Sequence, residues 1–248
     1  MQHELYDSIR RSEDDHWWYV GRRALVFDWV DRLAERSRAP RVLDLGCGTG
    51  FNLQWLSARG WQSVGADISG EALRFCRGRG AQLLVQTDAA LPPFRDGSFD
   101  VILALDVIEH IEDDDAALAA MYRALRPGGR LIVFTPAFQF LWSVQDVVSH
   151  HFRRYTAREL RARIERAGFA VEKLSYANTL LFPIVWLGRA TIRWTGRADR
   201  IADENGLHPA WTNGVLSRIF SSERHLLRRC NLPFGVSLLA VARKAPLP

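Results

Sequence analysis

The sequence predicts an α/β fold in which a seven-stranded, mostly parallel sheet carries helices on both faces. Short apolar segments of strand length alternate with helix-length segments from residue 41 to residue 134, and this alternation is typical of right-handed βαβ units. The segment Phe99–Leu105 is apolar enough to be a strand buried on both faces. At 248 residues, the chain can bury a large core without a disulfide or metal staple.

Each element has a local signal. Leu25, Trp29 and Leu33 repeat every four residues and predict an amphipathic first helix. Three aspartates favour a helix N-terminus near residue 113, and Thr156 with Glu159 forms a capping-box pattern. The predicted strands are residues 41–45, 63–67, 82–86, 99–105, 130–134, 170–176 and 236–243, and the predicted helices are residues 22–37, 52–59, 70–77, 113–125 and 156–167.

We predict one domain over residues 1–248, with a core of about residues 22–176 and 234–244. An N-terminal helical lid precedes the core, and a helical insertion at about residues 178–230 separates the last two strands. Hydrophobic residues at 48% and charged residues at 25% exclude a disordered chain. No apolar run reaches about 18 residues, the N-terminus does not resemble a signal peptide, and the 3 cysteines are scattered. We therefore expect a cytoplasmic protein.

Acidic side chains and a glycine-rich loop lie where the first strands end. Asp44 is followed by Gly46, Gly48 and Gly50, which allow the backbone to approach a ligand closely. Asp67 ends the second strand and could accept hydrogen bonds from ribose hydroxyls. Asp88 follows the third strand and could accept a hydrogen bond from the exocyclic amine of adenine. The sequence therefore predicts an adenosine-containing ligand at the carboxyl edge of the sheet. The G-x-G-x-G spacing differs from the G-x-G-x-x-G pattern typical of dinucleotide binding.

The sequence around this loop resembles the class I S-adenosylmethionine-dependent methyltransferases. The similar segments are Val42–Gly50, Val64–Asp67, Asp88-Ala89, Phe94–Ile102, Asp106–His110 and Leu125–Leu131. The resemblance implies a Rossmann-like fold with the last strand antiparallel beside the fifth, and S-adenosylmethionine as cofactor. We expect the cofactor to be bound by Asp44, Gly46, Cys47, Gly48, Asn52, Asp67, Ile68, Asp88, Ala89 and Leu105. No metal is expected, since neither H-E-x-x-H nor C-x-x-C spacing occurs.

Histidines, aromatics and arginines near the predicted sheet edge are the candidates for acceptor chemistry. Methyl transfer to oxygen or nitrogen can require a base, although His110 could instead hold its loop by hydrogen bonds. The N-terminal aromatic residues Trp17, Trp18 and Tyr19 could form a wall of an acceptor pocket, or they could cap the sheet edge. The candidate catalytic residues are His110, His150, His151 and Tyr155, and the candidate acceptor-binding residues are Trp17, Trp18, Tyr19, Arg22, Arg153 and Arg154.

The second half of the chain is basic, with 17 basic and 7 acidic side chains in residues 150–248 against 16 and 21 in residues 1–149. Leu180–Gly188 is a short apolar run followed by arginines. This composition favours peripheral contact with the inner face of the membrane through residues 178–200, or a lid packed on the sheet. Nucleic acid is not expected, because no RNA-binding module is present.

Together these patterns predict a methyltransferase that acts on an oxygen of a small or lipid-like acceptor at the membrane surface. The alternatives are an N-methyltransferase of a small molecule, a nicotinamide-dependent dehydrogenase and a non-enzymatic, cofactor-binding membrane adaptor.

Overall fold

The computed structural model describes residues 3–34, 40–195 and 209–245. Its strands are β1 Arg41–Leu45, β2 Gln62–Asp67, β3 Leu84–Gln86, β4 Phe99–Leu105, β5 Leu125–Pro136, β6 Phe169–Ala177 and β7 Ser237–Lys244. Its helices are α1 His3–Ser12, α2 Trp17–Ala34, α3 Phe51–Ser57, α4 Gly70–Gly78, α5 Asp114–Ala124, α6 Val144–Val148, α7 Ala157–Arg166, α8 Phe182–Thr195 and α9 Ala210–Leu227, with 3₁₀ turns at Ile108–His110 and Gln139–Leu141.

The sheet has the strand order β3-β2-β1-β4-β5-β7-β6. Strands β1 to β5 pair in parallel, whereas β7 is antiparallel to both β5 and β6. The strand order reverses at β1, where β2 lies on one side and β4 on the other. Ligands bind at the carboxyl ends of strands beside such a reversal. The predicted seven-stranded, mostly parallel sheet and the antiparallel placement of the last strand are confirmed.

Helices cover both faces of the sheet because strand residues alternate between two apolar layers. On β4, Ile102 faces the layer formed with α5 and α7. Its neighbours Val101 and Leu103 face the opposite layer, formed with α2 and α9. Both layers consist of fully buried aliphatic and aromatic side chains, which fixes the strand ends relative to the helices above them.

Helices α2 and α9 approach each other closely at Gly21. A Cβ atom at this position would lie 2.1 Å from the Phe220 ring, and Phe220 is fully buried. The backbone N–H of Trp17 donates to the Asn213 side chain over 2.7 Å. The C-terminal part of the predicted insertion therefore packs into the core layer beside the N-terminal helices.

Several predicted boundaries differ from the structure. The first predicted helix begins earlier, at Trp17, because its aromatic residues pack on the core. Strand β5 begins at Leu125 rather than at residue 130, because Leu125 already pairs with Phe99 of β4. Residues 196–200 of the predicted membrane-contact segment lie outside the described residues. Among the helices that the structure describes, none has the length and apolarity needed to cross a membrane.

Candidate active site

A cavity of about 780 Å³ opens where β1, β2 and β4 end. Its floor is formed by the loops after these strands, and α1 with the start of α2 forms one wall. Its far end is closed by Asn178 after β6, Val185 on α8 and Val236 before β7. The volume lies within the range of about 300–1,000 Å³ usual for small-molecule sites. The cavity therefore has room for a ligand over the strand reversal and extends toward β6.

The glycine loop needs glycine at each of its three positions. Gly46, Gly48 and Gly50 have φ angles of +69°, +53° and +86°, in the left-handed region that residues with a Cβ rarely adopt. A Cβ at Gly46 would lie 2.5 Å from Val107, whereas at Gly48 it would enter open space. The loop thus exposes backbone to the cavity at Gly48, as a cradle for a ligand requires.

Asp67 lines the cavity as a fixed, buried carboxylate. Its Oδ2 accepts a hydrogen bond from the backbone N–H of Gly48 and its Oδ1 one from Ser69, both over 2.9 Å. Burial raises the pKa of Asp67, although these hydrogen bonds oppose the shift. Each oxygen keeps acceptor capacity for a further donor. The geometry fits a carboxylate that receives two hydroxyl groups of a bound ribose.

Asp44 lies beneath the glycine loop and does not line the cavity. Its Oδ1 accepts from the Asn52 amide over 3.3 Å, and its buried Oδ2 has no hydrogen-bond partner among the described residues. Burial raises the pKa of Asp44 to about 7, partly offset by the Asn52 hydrogen bond. Asp44 is thus a buried carboxyl group next to the glycine loop, with one oxygen that the described residues leave without a donor.

The structure brings the other predicted cofactor residues to the cavity wall. Asp88 is fixed by the backbone N–H of Ala90, which donates to its Oδ1 over 2.8 Å. The predicted cofactor residues that line the cavity are Gly46, Cys47, Gly48, Asn52, Asp67, Ile68, Asp88, Ala89 and Leu105.

Helix α1 and the residue that follows it contribute cavity residues that the sequence did not predict. Tyr6 on α1 and Glu13 just after α1 line the cavity. The buried Glu13 carboxylate accepts hydrogen bonds from Thr49 in the glycine loop and from Arg79 after α4. These contacts join residues 36 and 66 positions apart, so no local pattern reveals them.

The N-terminal aromatic residues line the cavity, where they form the aromatic wall. Trp17, Trp18, Tyr19 and Arg22 all line the cavity. The guanidinium of Arg22 lies 4.9 Å from the centre of the Trp18 ring and pairs with the carboxylate of Asp106. This cation–aromatic arrangement offers a flat, partly apolar surface to a bound molecule.

Two of the predicted histidines meet at the wall of the cavity. The rings of His110 and His151 lie 4.5 Å apart. His151 Nδ1 lies 2.8 Å from Oδ1 of Asp146, a fully buried carboxylate that Arg154 also binds through Nε and Nη2. Burial alone would raise the pKa of Asp146, but the hydrogen bonds from His151 and Arg154 lower it. Burial and the nearby His151 lower the pKa of His110 to about 4, so His110 is uncharged at neutral pH.

The other residues of this predicted group occupy different places. His150 lines the cavity with a φ of +56°. Tyr155 is buried in the core, where its hydroxyl donates to Asp114 over 2.7 Å. Arg153 donates to the Glu112 carbonyl over 2.7 Å, and neither it nor Tyr155 lines the cavity. Arg154 lines the cavity, yet its guanidinium is bound to Asp146. We therefore leave Tyr155 and Arg153 out of the chemistry.

One group of side chains in the described part of the chain has the geometry to hold a metal ion. Glu109, His110 and His151 offer ligand atoms within 4.8 Å of one another. Glu109 is fully buried, with Thr135 donating to its Oε2 over 2.9 Å and no partner on Oε1 in the part of the chain that the structure describes. Glu109 was not among the predicted site residues, because it and His110 precede His151 by 42 and 41 positions in the sequence.

Comparison with known proteins agrees with this site. A family model described as a methyltransferase domain matches residues 18–174. A Mycolicibacterium smegmatis protein named as a probable S-adenosylmethionine-dependent methyltransferase is 30% identical over 164 residues, covering 65% of this chain and 62% of the relative. The ubiquinone biosynthesis O-methyltransferase of Xanthomonas oryzae pv. oryzae is 34% identical over 154 residues, covering 54% of this chain and 64% of the relative. The chain thus spans less than two thirds of the length of these relatives.

A solved structure gives the same fold. Phosphoethanolamine N-methyltransferase 2 of Haemonchus contortus, in complex with S-adenosyl-L-methionine, aligns with a TM-score of 0.58 at 20% identity, covering 89% of this chain and 52% of that one. The strand reversal, the glycine loop and the carboxylate after β2 define a class I methyltransferase. The chain belongs to the methyltransferase-domain family, whose model matches more than half of its length.

Proposed function

We propose that the enzyme methylates an oxygen atom of a small or lipid-like acceptor, and that a histidine at the cavity wall removes the proton from that oxygen. The observation that carries this proposal is the pair formed by His110 and His151, with rings 4.5 Å apart beside the cavity. Bound S-adenosylmethionine supplies the methyl group. Asp67 and the glycine loop hold the cofactor, while the aromatic wall and the histidines orient the acceptor and exclude water.

His151 has one ring nitrogen occupied and one available. It directs Nδ1 at the Asp146 carboxylate, so Nε2 is the nitrogen that can accept a proton. His110 is uncharged at neutral pH, so it too can accept a proton. Either ring can therefore act as a general base, and a positioned base contributes about 10²–10⁴-fold to a rate.

The names of the relatives support oxygen as the methylated atom. Ubiquinone biosynthesis O-methyltransferase is the name of a relative at 34% identity. The aromatic wall of Trp17, Trp18 and Tyr19, with Arg22 stacked on it, suits a flat aromatic acceptor. Nitrogen methylation is the alternative that the experiment below separates.

The test is methyl transfer from labelled S-adenosylmethionine to matched phenols and anilines, with the methylated atom located by mass spectrometry. We expect methyl phenyl ethers as products. His110→Ala and His151→Ala should each bind S-adenosylhomocysteine as the wild type does, and at least one should lower turnover by about 10²–10⁴-fold. His225→Ala, at an exposed position on α9, is the matched control and should be fully active. Products methylated on nitrogen, or full activity of both cavity variants, would contradict the proposal.

We further propose that α8 contacts a membrane at the acceptor end of the cavity. Ile184, Trp186 and Leu187 on α8 are exposed by 64%, 46% and 56%, while Val185 and Arg189 of the same helix line the cavity. Arg189 donates through Nη1 to the carbonyl of Leu141, which turns this arginine toward the protein. The apolar side chains of α8 would therefore carry the contact, and the basic second half of the chain would favour anionic lipid.

Co-sedimentation with phosphatidylcholine vesicles, with and without phosphatidylglycerol, tests this contact. Binding should require the anionic lipid and weaken at high salt, since exposed charges are screened. Ile184→Asp combined with Leu187→Asp should abolish it without changing cofactor affinity. Leu83→Asp, at an exposed apolar position just before β3, should bind as the wild type does. If the wild type ignores anionic vesicles at low salt, α8 is only a packed cover.

A further inference from the structure

Asn178 is a buried polar residue in the cavity wall whose side chain has no hydrogen-bond partner within the described ranges. It follows β6 at the far end of the cavity and is fully buried. Its Oδ1 and both protons of Nδ2 are unpaired among the described residues. A buried amide without partners is unfavourable, because no hydrogen bond offsets the loss of its contacts with water. Native structures rarely keep such a group unless something else pairs with it.

The backbone at Asn178 is held in place from two sides. Its N–H donates over 2.7 Å to Oε2 of Glu223, and its carbonyl accepts from Val236 over 3.4 Å. Glu223 is fully buried on α9 and also accepts from the N–H of Leu180 over 2.7 Å. Asn178 has a φ of +58°, which asparagine tolerates better than most residues. The fold thus fixes the backbone of Asn178 at the end of the cavity that lies away from the glycine loop.

The surroundings of Asn178 separate it from the cofactor. The glycine loop and Asp67 lie over β1 and β2, whereas Asn178 follows β6 at the opposite edge of the sheet. Apolar Val185 and Val236 share its end of the cavity. A group bound there belongs to the acceptor, and its polar part must offer both a donor and an acceptor to satisfy a carboxamide.

We infer that Asn178 determines acceptor specificity by hydrogen bonding a second oxygen function of the acceptor, a hydroxyl that is not the one methylated. This inference rests on the proposed function, in which the first oxygen lies at His110 and His151. Aromatic acceptors with two hydroxyl groups are the chemical class that offers one hydroxyl to the histidines and a second to Asn178. A site that hydrogen bonds a hydroxyl rejects the analogue lacking it, because its buried polar groups are then unpaired.

The test measures binding of phenol, catechol, resorcinol and hydroquinone to the full chain loaded with S-adenosylhomocysteine, by ligand-observed NMR titration. The three dihydroxybenzenes place the second hydroxyl at three separations. We expect the wild type to bind at least one of them about 5- to 30-fold more tightly than phenol, the factor that one buried hydrogen bond supplies. Asn178→Gly, which keeps the positive φ without strain, should lose this preference while binding phenol and S-adenosylhomocysteine as before.

The Tm of the ligand-free Asn178→Gly variant is a second readout. If Asn178 had only a structural role, its replacement would lower the Tm. Because Asn178→Gly removes unpaired buried groups, the ligand-free variant should have a Tm no lower than the wild type. Asn178→Asp, which keeps an acceptor oxygen and loses both N–H donors, should retain a smaller preference. A wild type that shows no preference for any dihydroxybenzene, or a variant that keeps the full preference, would overturn the inference. Binding with the expected preference but without methyl transfer would count against the proposed function alone.

Discussion

Replacing Asp67 with alanine tests the cofactor site most directly. In the structure, Asp67 Oδ2 accepts from Gly48 N–H and Oδ1 from Ser69 N–H, both over 2.9 Å. These bonds fix the carboxylate at the cavity wall with one acceptor position left on each oxygen. The side chain is only 7% exposed, so water competes weakly for those positions. The two hydroxyls of the cofactor ribose would fill them.

The expected loss follows from these contacts. A hydrogen bond to a charged group contributes about 1.5–3 kcal/mol, and each 1.4 kcal/mol is about a tenfold change in affinity. Asp67→Ala should therefore weaken S-adenosylhomocysteine binding about 10- to 100-fold. Asp67→Asn keeps the shape and one carbonyl oxygen but loses the charge, so its loss should be smaller.

Isothermal calorimetry with S-adenosylhomocysteine measures the effect, and thermal denaturation is the control. Asp67→Ala removes the hydrogen-bond acceptor of the Gly48 and Ser69 N–H groups, and this loss could destabilise the glycine loop independently of the ribose. A loss of affinity accompanied by a large drop in Tm would therefore point to the loop rather than to the ribose. Unchanged affinity in the alanine variant would refute the role assigned to Asp67.

Two further predictions concern buried groups. In the folded, ligand-free protein, the pKa of Asp44 is raised to about 7. The contribution of Asp44 to stability is therefore present below pH 4 and is lost as the pH rises to about 7. Denaturant titrations should show Asp44→Asn gaining stability relative to the wild type by up to about 1.4 kcal/mol per pH unit between pH 5 and pH 7, and parallel pH profiles of the two proteins would exclude this role. Gly21→Ala should lower stability by about 1–3 kcal/mol, because its Cβ would lie 2.1 Å from the buried Phe220 ring. Gly214→Ala is the matched control, because Gly214 also lies within a helix and a Cβ there meets nothing within 4 Å. Equal Tm changes in the two variants would contradict the packing argument.

The half of the cavity beside the glycine loop was predictable because local sequence determines it. A strand that is apolar throughout, a turn that needs positive φ, and an acid at a strand end are all features of a few consecutive residues. Gly46, Gly48 and Asp67 therefore fell where the patterns placed them. Asp44 is the exception, since it supports the loop from below rather than lining the cavity.

The acceptor half was predicted less well because contacts distant in the chain determine it. In the segment from His151 to Tyr155, neighbouring side chains point in different directions. His151 reaches the cavity wall and Arg154 binds Asp146 behind it, whereas Tyr155 enters the core and bonds Asp114. Residue types made most of this segment a candidate for catalysis or acceptor binding, but only the packing shows which side chains line the cavity.

Asn178 illustrates the same limit. In sequence, an asparagine after a strand is an ordinary turn residue. Its importance arises from Glu223, which is 45 positions away and holds its backbone, and from the absence of a partner for its side chain among the described residues. The Glu223 carboxylate holds the backbone of this strand end, so Asn178 stays at the cavity wall. Under the proposed function, this end of the cavity would be preorganised for a hydrogen-bonding acceptor, as the glycine loop and Asp67 would preorganise the other end for the cofactor.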